Sequence, residues 1–369
     1  MTTPRVAIDA RKLRDGGIGT YIRELVAALA AGPDPPEMAA LLDPADLGRT
    51  GWPPRAAREI GVRAGKYGVW EHVAVPQAAR AAGATLLHAP HYTLPLGWLG
   101  PAVVTIHDLI HVRHREFFPP GTDLYARAVA GAAARRSRIV LADSVATRDD
   151  VITFLRAEPA RVRVVPLGVA ASLARPEAAR IESFRRARSL PAGYLLYVGA
   201  RKRHKNLGLV LEALARMAPA ERPPFVLSGS PWVARERLAE QARRLGLAGG
   251  IAFAGDLADA SELAALYAGA ALYVQPSLFE GFGLPPLEAM ACGTPVLSSD
   301  GGALPEAVGD AALVLPPREP ERWAEAIHAL LGDEARRADL ARRGLARART
   351  FTWEKTATAT LAAYRDALG

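Results

Sequence analysis

Two carboxylates frame the stretch of this chain best suited to chemistry. Residues Ser277 to Gly293 read Ser-Leu-Phe-Glu-Gly-Phe-Gly-Leu-Pro-Pro-Leu-Glu-Ala-Met-Ala-Cys-Gly, with seven residues between Glu280 and Glu288. Glu280 falls in a glycine-rich turn, Gly281-Phe282-Gly283, and Glu288 is expected in the first turn of the helix that follows. A carboxylate accepts two hydrogen bonds from a vicinal diol, so each could grip a pair of sugar hydroxyls. Gly281 and Gly283 carry no Cβ, which lets backbone N–H groups approach a ligand. A helix starting at Pro285 or Pro286 adds free N–H donors and a positive dipole end, both suited to a phosphate. Taken singly, each carboxylate has a blander explanation: Glu288 complements the helix dipole and Glu280 is a solvated loop charge. The arrangement as a whole points to a ligand.

Three further segments could serve the same chemistry. Gly199-Ala200-Arg201-Lys202-Arg203-His204-Lys205-Asn206 follows an apolar strand and precedes a helix. Cations there could clamp a diphosphate, with Arg201 and Lys205 as the expected contacts and the others as surface charge. Asp15-Gly16-Gly17-Ile18-Gly19 follows the first strand as a turn. It lacks the third glycine of the dinucleotide fingerprint, which argues against a nicotinamide-dependent dehydrogenase, but its amides could face a phosphate or sugar. Thr105-Ile106-His107-Asp108 ends another strand, which directs His107 to the carboxyl edge of a sheet. Five of the eight histidines, His88, His91, His107, His111 and His114, fall in this region. Their spacings match no zinc pattern, and the expectation is that no metal is required. No Gly-x-Ser-x-Gly elbow is present, and Cys292 lies in an apolar helix and reads as buried structure rather than nucleophile.

The elements that must position these residues alternate. Val6–Asp9, 38–42, 85–88, Ala102–Ile106, Ile139–Ala142 and 162–165 read as strands in the first half, with helices between them. After a boundary at Pro166-Leu167-Gly168 and a helical connection to Ser189, a second series begins: strands at 194–198, Phe225–Ser228, Ile251–Phe253 and 271–274, with Ser261 as the N-cap of a helix to Tyr267. Helices at 320–331, 333–348 and Trp353–Leu368 close the chain. This pattern predicts an α/β protein of two doubly wound parallel-sheet domains with a ligand cleft between them.

Composition bounds the rest. A length of 369 residues exceeds one hydrophobic core, and a hydrophobic content of 50% excludes a disordered chain. The net charge of +8 favours anionic ligands without being a nucleic-acid signature, and no specific nucleic-acid partner is expected. A single cysteine excludes an internal disulfide framework. With no signal peptide and no apolar run of bilayer length, a cytoplasmic protein is expected. The basic first half and the apolar stretch Leu94 to Leu99, with Trp98 read as exposed, suggest peripheral contact with the inner face of a membrane.

The motifs together resemble the retaining glycosyltransferases of family 4, with the GT-B fold, and within them the mannosyltransferase-like branch. The resemblance runs from Ile8-Asp9-Ala10-Arg11 and Gly17-Ile18-Gly19-Thr20-Tyr21 through Val104-Thr105-Ile106-His107-Asp108-Leu109, Val164-Val165-Pro166-Leu167-Gly168, and Tyr197-Val198-Gly199 leading to Lys205-Asn206-Leu207. It ends with the most specific block, Phe279-Glu280-Gly281-Phe282-Gly283-Leu284-Pro285 through Glu288-Ala289-Met290-Ala291-Cys292-Gly293-Thr294-Pro295-Val296. It implies two Rossmann-like domains. Residues 1–168 plus 350–369 would form the acceptor domain with a returning C-terminal helix, and 169–349 the nucleotide-sugar donor domain.

The resemblance also implies roles. Glu280 would bind hydroxyls of the donor sugar beside the backbone of Phe282, Gly283 and Leu284. Glu288 would hold the ribose, and the base would lie near Gly255, Asp256 and Leu257. Arg201 and Lys205 would neutralise the departing diphosphate, Gly16 and Gly17 would border the phosphates, and His107 would sit beside the reacting sugar. The donor substrate would be a nucleotide-diphosphate sugar, GDP-mannose first, with no separate cofactor. The acceptor would be a glycan or lipid-linked glycan of polysaccharide biosynthesis. One departure stands out: His204 occupies the place where this branch usually carries an arginine before the phosphate-loop lysine. A nucleotide-sugar epimerase, a phosphorylase of the same fold, or a non-catalytic nucleotide-sugar-binding subunit are the alternatives.

Overall fold

A computed structural model of the chain describes residues 3–48, 52–54, 56–200, 202–229 and 233–369. The chain divides into two compact units, one of Met1–Gly168 with Thr352–Gly369, the other of Val169–Phe351.

The first unit is built on seven strands: β1 (Arg5–Asp9), β2 (Glu37–Leu42), β3 (Ala57–Gly61), β4 (Leu86–Ala89), β5 (Ala102–Ile106), β6 (Ile139–Ala142) and β7 (Val162–Val164). They pair in parallel in the order β3-β2-β1-β4-β5-β6-β7. The central strands β4, β5 and β6 are buried at every residue, which is why they are mainly apolar rather than alternating, with His88 and Thr105 as the buried polar exceptions. Helix Gly16–Ala31 packs Tyr21, Ile22, Leu25, Val26 and Leu29 inward, each at a stabilisation of about 1.5–3 kcal/mol for the large apolar side chains. The last helix, Trp353–Leu368, lies against it and is tied to this unit by Thr356 Oγ1 to Pro166 O (2.7 Å) and Arg163 to Asp366 (2.7 Å).

The second unit repeats the plan with six strands: β8 (Leu195–Val198), β9 (Phe225–Ser228), β10 (Ile251–Phe253), β11 (Leu272–Gln275), β12 (Val296–Ser299) and β13 (Leu313–Leu315). Their order is β10-β9-β8-β11-β12-β13, again all parallel. In both sheets the chain winds outward from the first strand and then returns to its other side. The direction of winding reverses between β1 and β4 and between β8 and β11, the two places where such sheets offer ligand sites at their carboxyl ends.

Several details depart from expectation. Gly16 and Gly17 are not a turn but open a helix, whose N-cap position is Asp15. Asp259, not Ser261, caps helix Ala260–Ala268, accepting from Glu262 N at 3.0 Å. Glu288 falls in the second turn of helix Leu284–Ala291, too far in to serve the dipole end. Trp98 is 5% exposed rather than displayed: its Nε1 donates to Pro101 O at 2.9 Å and its ring joins the core with Leu94. Only Leu96 and Leu99 of that stretch face solvent. No helix among the described residues is long and apolar enough to cross a membrane.

Candidate active site

In the second unit, the turn after β11 carries Glu280 and the turn after β8 carries Lys205, so the two meet at the carboxyl edge where the sheet reverses. Lys205 Nζ lies 2.8 Å from Glu280 Oε1 and 2.7 Å from Oε2. Gln275 Nε2 (2.8 Å) and Ser277 Oγ (2.6 Å) also donate to Oε1. Gln275 is itself held by Tyr273, whose hydroxyl donates to Gln275 Oε1 at 2.6 Å. Burial opposes the charge on Glu280, but Lys205 and Ser277 override it and hold the carboxyl below its ordinary range. The carboxylate is therefore ionised, nearly buried and fixed in one orientation before any ligand arrives.

The backbone around Glu280 is fixed as firmly. Its N–H donates to Gly301 O at 3.3 Å and its carbonyl accepts from Ala303 N at 2.9 Å. Gly302, with φ +66°, lies so close that a Cβ would fall 2.4 Å from Glu280 O. Only glycine fits there. Gly283 begins the helix at φ +112°, and a Cβ on it would strike Leu304 at 2.9 Å. Phe282 is buried edge-on to Phe351, and Leu284 is the first helical residue. Glu288 accepts from the Tyr267 hydroxyl at 2.7 Å. Burial, and then Glu288, push that hydroxyl's pKa far up, and Tyr273 feels both Glu280 and Glu288. The two carboxylates thus share one buried tyrosine environment.

Asp256 is exposed and Leu257 half-buried on the loop between β10 and helix Ala260–Ala268; Arg188 holds Asp256 O at 2.9 Å. Arg201 lies outside the described residues. His204 is buried, and its carbonyl accepts from Leu278 N at 2.8 Å, which joins the basic loop to the Glu280 turn. Cys292 is buried, and burial pushes its thiol up to about 12, well away from nucleophile chemistry.

In the first unit, His107 lies just past β5. Its Nδ1 is 2.7 Å from Asp143 Oδ2 and its Nε2 3.2 Å from Pro90 O. Both ring nitrogens face oxygen atoms, an arrangement that an imidazolium satisfies at both positions. Burial works against that charge, and the Asp143 carboxylate outweighs it, raising the imidazole above its ordinary value. Tyr21 packs edge-on to His107 with centroids 4.8 Å apart. Its hydroxyl pairs with Thr105 Oγ1 (2.9 Å), which pairs with His88 (2.8 Å), which pairs with Tyr364 of the last helix (2.7 Å). Gly16 and Gly17 open onto free space: a Cβ on either would meet nothing within 4 Å. Among the described residues no cluster of three His, Cys, Asp or Glu side chains converges as a metal site would.

Sequence reasoning missed Asp143, Gln275, Ser277 as a partner, and the Gly301-Gly302 pair. A polar residue directly after an apolar strand was the available signal for Asp143, which follows β6. The glycine pair also follows a strand, β12, by two residues.

Two parallel, doubly wound sheets, each with polar side chains gathered at the reversal point, define the class: this is a GT-B glycosyltransferase fold. Residues 15–173 match the family model described as Glycosyltransferase Family 4, and residues 180–347 match the model of Glycosyl transferases group 1. The chain is 32% identical over 283 residues to the O-antigen chain mannosyltransferase B of Escherichia coli, covering 76% of this chain and 74% of that one. It is 35% identical to the D-inositol 3-phosphate glycosyltransferase of Acidothermus cellulolyticus over 73% of this chain and 63% of that relative. Its fold is similar to that of a sucrose-phosphate synthase from Thermosynechococcus elongatus, with a TM-score of 0.82 at 25% identity, covering 99% of this chain and 98% of that one. The chain belongs to family 4 of the glycosyltransferases.

Proposed function

We propose that this glycosyltransferase moves a hexose, mannose from GDP-mannose in the first instance, from a nucleotide-diphosphate sugar to a glycan or lipid-linked acceptor with retention at the anomeric carbon. The observation that carries the reading is the Lys205–Glu280 pair, held by Gln275 and Ser277 at the reversal point of the second sheet. In the loaded enzyme Glu280 exchanges its lysine for hydroxyls of the donor sugar, and Lys205 turns to the diphosphate. Arg201 joins Lys205 there. The amides of Phe282, Gly283 and Leu284 border the sugar, Glu288 takes the ribose hydroxyls and Asp256-Leu257 the base. Gly16 and Gly17, with open space above them, border the phosphates, and His107 serves beside the reacting sugar.

The mechanism follows from the charges. Among the described residues Cys292 is buried with its thiol pushed up, and the reading is front-face attack through an oxocarbenium-like state. Stabilisation of the leaving diphosphate by cations and amides is then the main catalytic term. The reading needs no metal. The residues 1–168 with 350–369 take the acceptor role and 169–349 the donor role.

Relatives' names divide between a mannosyltransferase and inositol-phosphate glycosyltransferases, so the donor panel must be broad. Thermal-shift screening against UDP-, GDP- and ADP-sugars, followed by product analysis with the stabilising donor, tests the reading. GDP-mannose giving the largest shift and a transferred mannose supports it. A larger shift by a UDP-sugar with transfer of that sugar replaces the donor. Binding without transfer or hydrolysis would favour a binding subunit.

A further inference from the structure

At the reversal point of the first sheet stands a second lysine that no assigned role uses. Lys12 follows β1 by three residues and is only 6% exposed. A buried ammonium needs a matching anion or several acceptors. The nearby carboxylates are already engaged: Arg11 binds Asp9 at 2.7 Å and Glu71 at 3.1 Å, and Lys66 binds Asp15 at 2.5 Å. Among the described residues the Lys12 ammonium makes one hydrogen bond, to the Tyr67 hydroxyl at 2.5 Å, and leans on that ring 3.8 Å from its centre. Burial, the largest influence, pulls its pKa down to about 8 despite the pull of Asp9, Asp15 and Glu71 the other way.

The shortage of acceptors extends along the contact. The Tyr67 hydroxyl lies 3.3 Å from His91 Nε2. The same hydroxyl also bonds Tyr92, so Tyr67 does not by itself set which ring nitrogen of His91 carries the proton. His91 is 8% exposed, and Nδ1 has no partner among the described residues. Tyr67 itself is about half exposed and sits at φ +62°, a conformation that side-chain-bearing residues rarely adopt, held by its N–H on Glu71 Oε2 at 3.0 Å. Backbone of this kind concentrates at ligand sites. His91 directly follows Pro90, whose carbonyl receives His107, so the cluster stands one residue from the His107 contact.

We propose that Lys12, Tyr67 and His91 form an oxyanion subsite that receives a phosphate or carboxylate group carried by the acceptor. The incoming oxygens accept from the spare Lys12 protons and from His91 Nδ1 in the tautomer that carries its proton there, with Tyr67 touching both side chains. This rests on the transferase reading for the word acceptor, while the anion site itself does not.

The chain has five lysines, so each is separable by NMR with lysine carrying 13C at Cε, whose shift reports amine protonation. Lys12→Met identifies its signal; if that variant does not fold, single substitutions of the other four identify it by elimination. Saturable addition of inorganic phosphate to the full chain is expected to move the Lys12 midpoint upward from about 8. Tyr67→Phe, at a half-exposed ring, is expected to weaken that binding about tenfold while melting like the parent. A sugar phosphate that competes with inorganic phosphate points to a soluble acceptor, and anionic vesicles giving the same shift point to a lipid headgroup. A Lys12 signal that phosphate leaves unmoved, or a shift confined to Lys205 or Lys66, overturns the proposal. A nucleotide sugar added separately reads out at Lys205, so failure of the transferase reading is seen independently.

Discussion

The two units place a lysine at the same point of the same topology and finish it differently. In each, the lysine follows the first strand of the sheet; Lys205 reaches the loop after β11, across the reversal, whereas Lys12 meets Tyr67, which follows β3, and comes to the loop after β4 only through it. Lys205 meets a carboxylate there, Glu280, which also takes donors from Gln275 and Ser277. Lys12 meets a tyrosine and, through it, a histidine with an idle nitrogen. The first arrangement is electrically complete without ligand. The second is short of acceptors. A fixed carboxylate suits a site that must recognise neutral hydroxyls, because it offers acceptors in set directions. A surplus of buried donors suits a site that waits for an anion. The difference shows that one fold, used twice, can hold opposite ligand chemistry at equivalent points by changing which side chain answers the lysine.

Removing each lysine should separate the two most strongly. Lys205→Ala leaves the Glu280 carboxylate buried beside fewer donors, and donor turnover should fall by about 10²-fold or more. Stability should fall by about 1–3 kcal/mol, measured by urea unfolding. Lys12→Met deletes a buried charge that makes no direct ion pair among the described residues, so its unfolding midpoint should stay level or rise. Equal destabilisation by both substitutions would break the comparison. Next in size, Tyr67→Glu gives Lys12 the carboxylate it lacks. The Lys12 midpoint should rise from about 8 and phosphate binding should be lost, as read by NMR titration.

The smallest effect concerns His107. Its folded pKa lies above the ordinary 6.5, so the imidazolium–Asp143 attraction is fully present below about pH 6.5 and is lost as pH rises through the folded value. Stability of the parent should therefore decline across that window, and Asp143→Asn should flatten the decline. The comparison is stability against pH for both proteins; an unchanged slope would remove the charged pair from the account.

Much of the framework was legible in the sequence because of how the strands are buried. Ala102–Ile106, Ile139–Ala142 and Phe225–Ser228 match their expected limits, since buried parallel strands are short apolar runs between breakers; Ile251–Phe253, a half-buried edge strand, matches as well because its three residues are all apolar. β3 was hidden: it is an edge strand, Ala-Arg-Glu-Ile-Gly, with its middle exposed and no apolar run to mark it. The Gly16-Gly17 pair suggested a turn because local propensity disfavours glycine in helices, yet the ten residues that follow carry enough buried side chains to extend the helix over it. At the site, Glu280 and Lys205 were readable from residue type and neighbouring breakers. Their direct pairing was not, because it joins positions 75 apart in the chain. Asp143 and the idle Nδ1 of His91 were invisible for the same reason: tertiary packing creates them.

The most direct test of the central claim is hydrolysis and transfer of the stabilising nucleotide sugar by the parent chain and by Glu280→Ala, at donor concentrations that saturate both. The account predicts turnover by the parent and its loss in the variant, with the variant still folded by its far-ultraviolet dichroism. Turnover that survives in the folded Glu280→Ala protein would contradict the assignment of that carboxylate to the donor sugar.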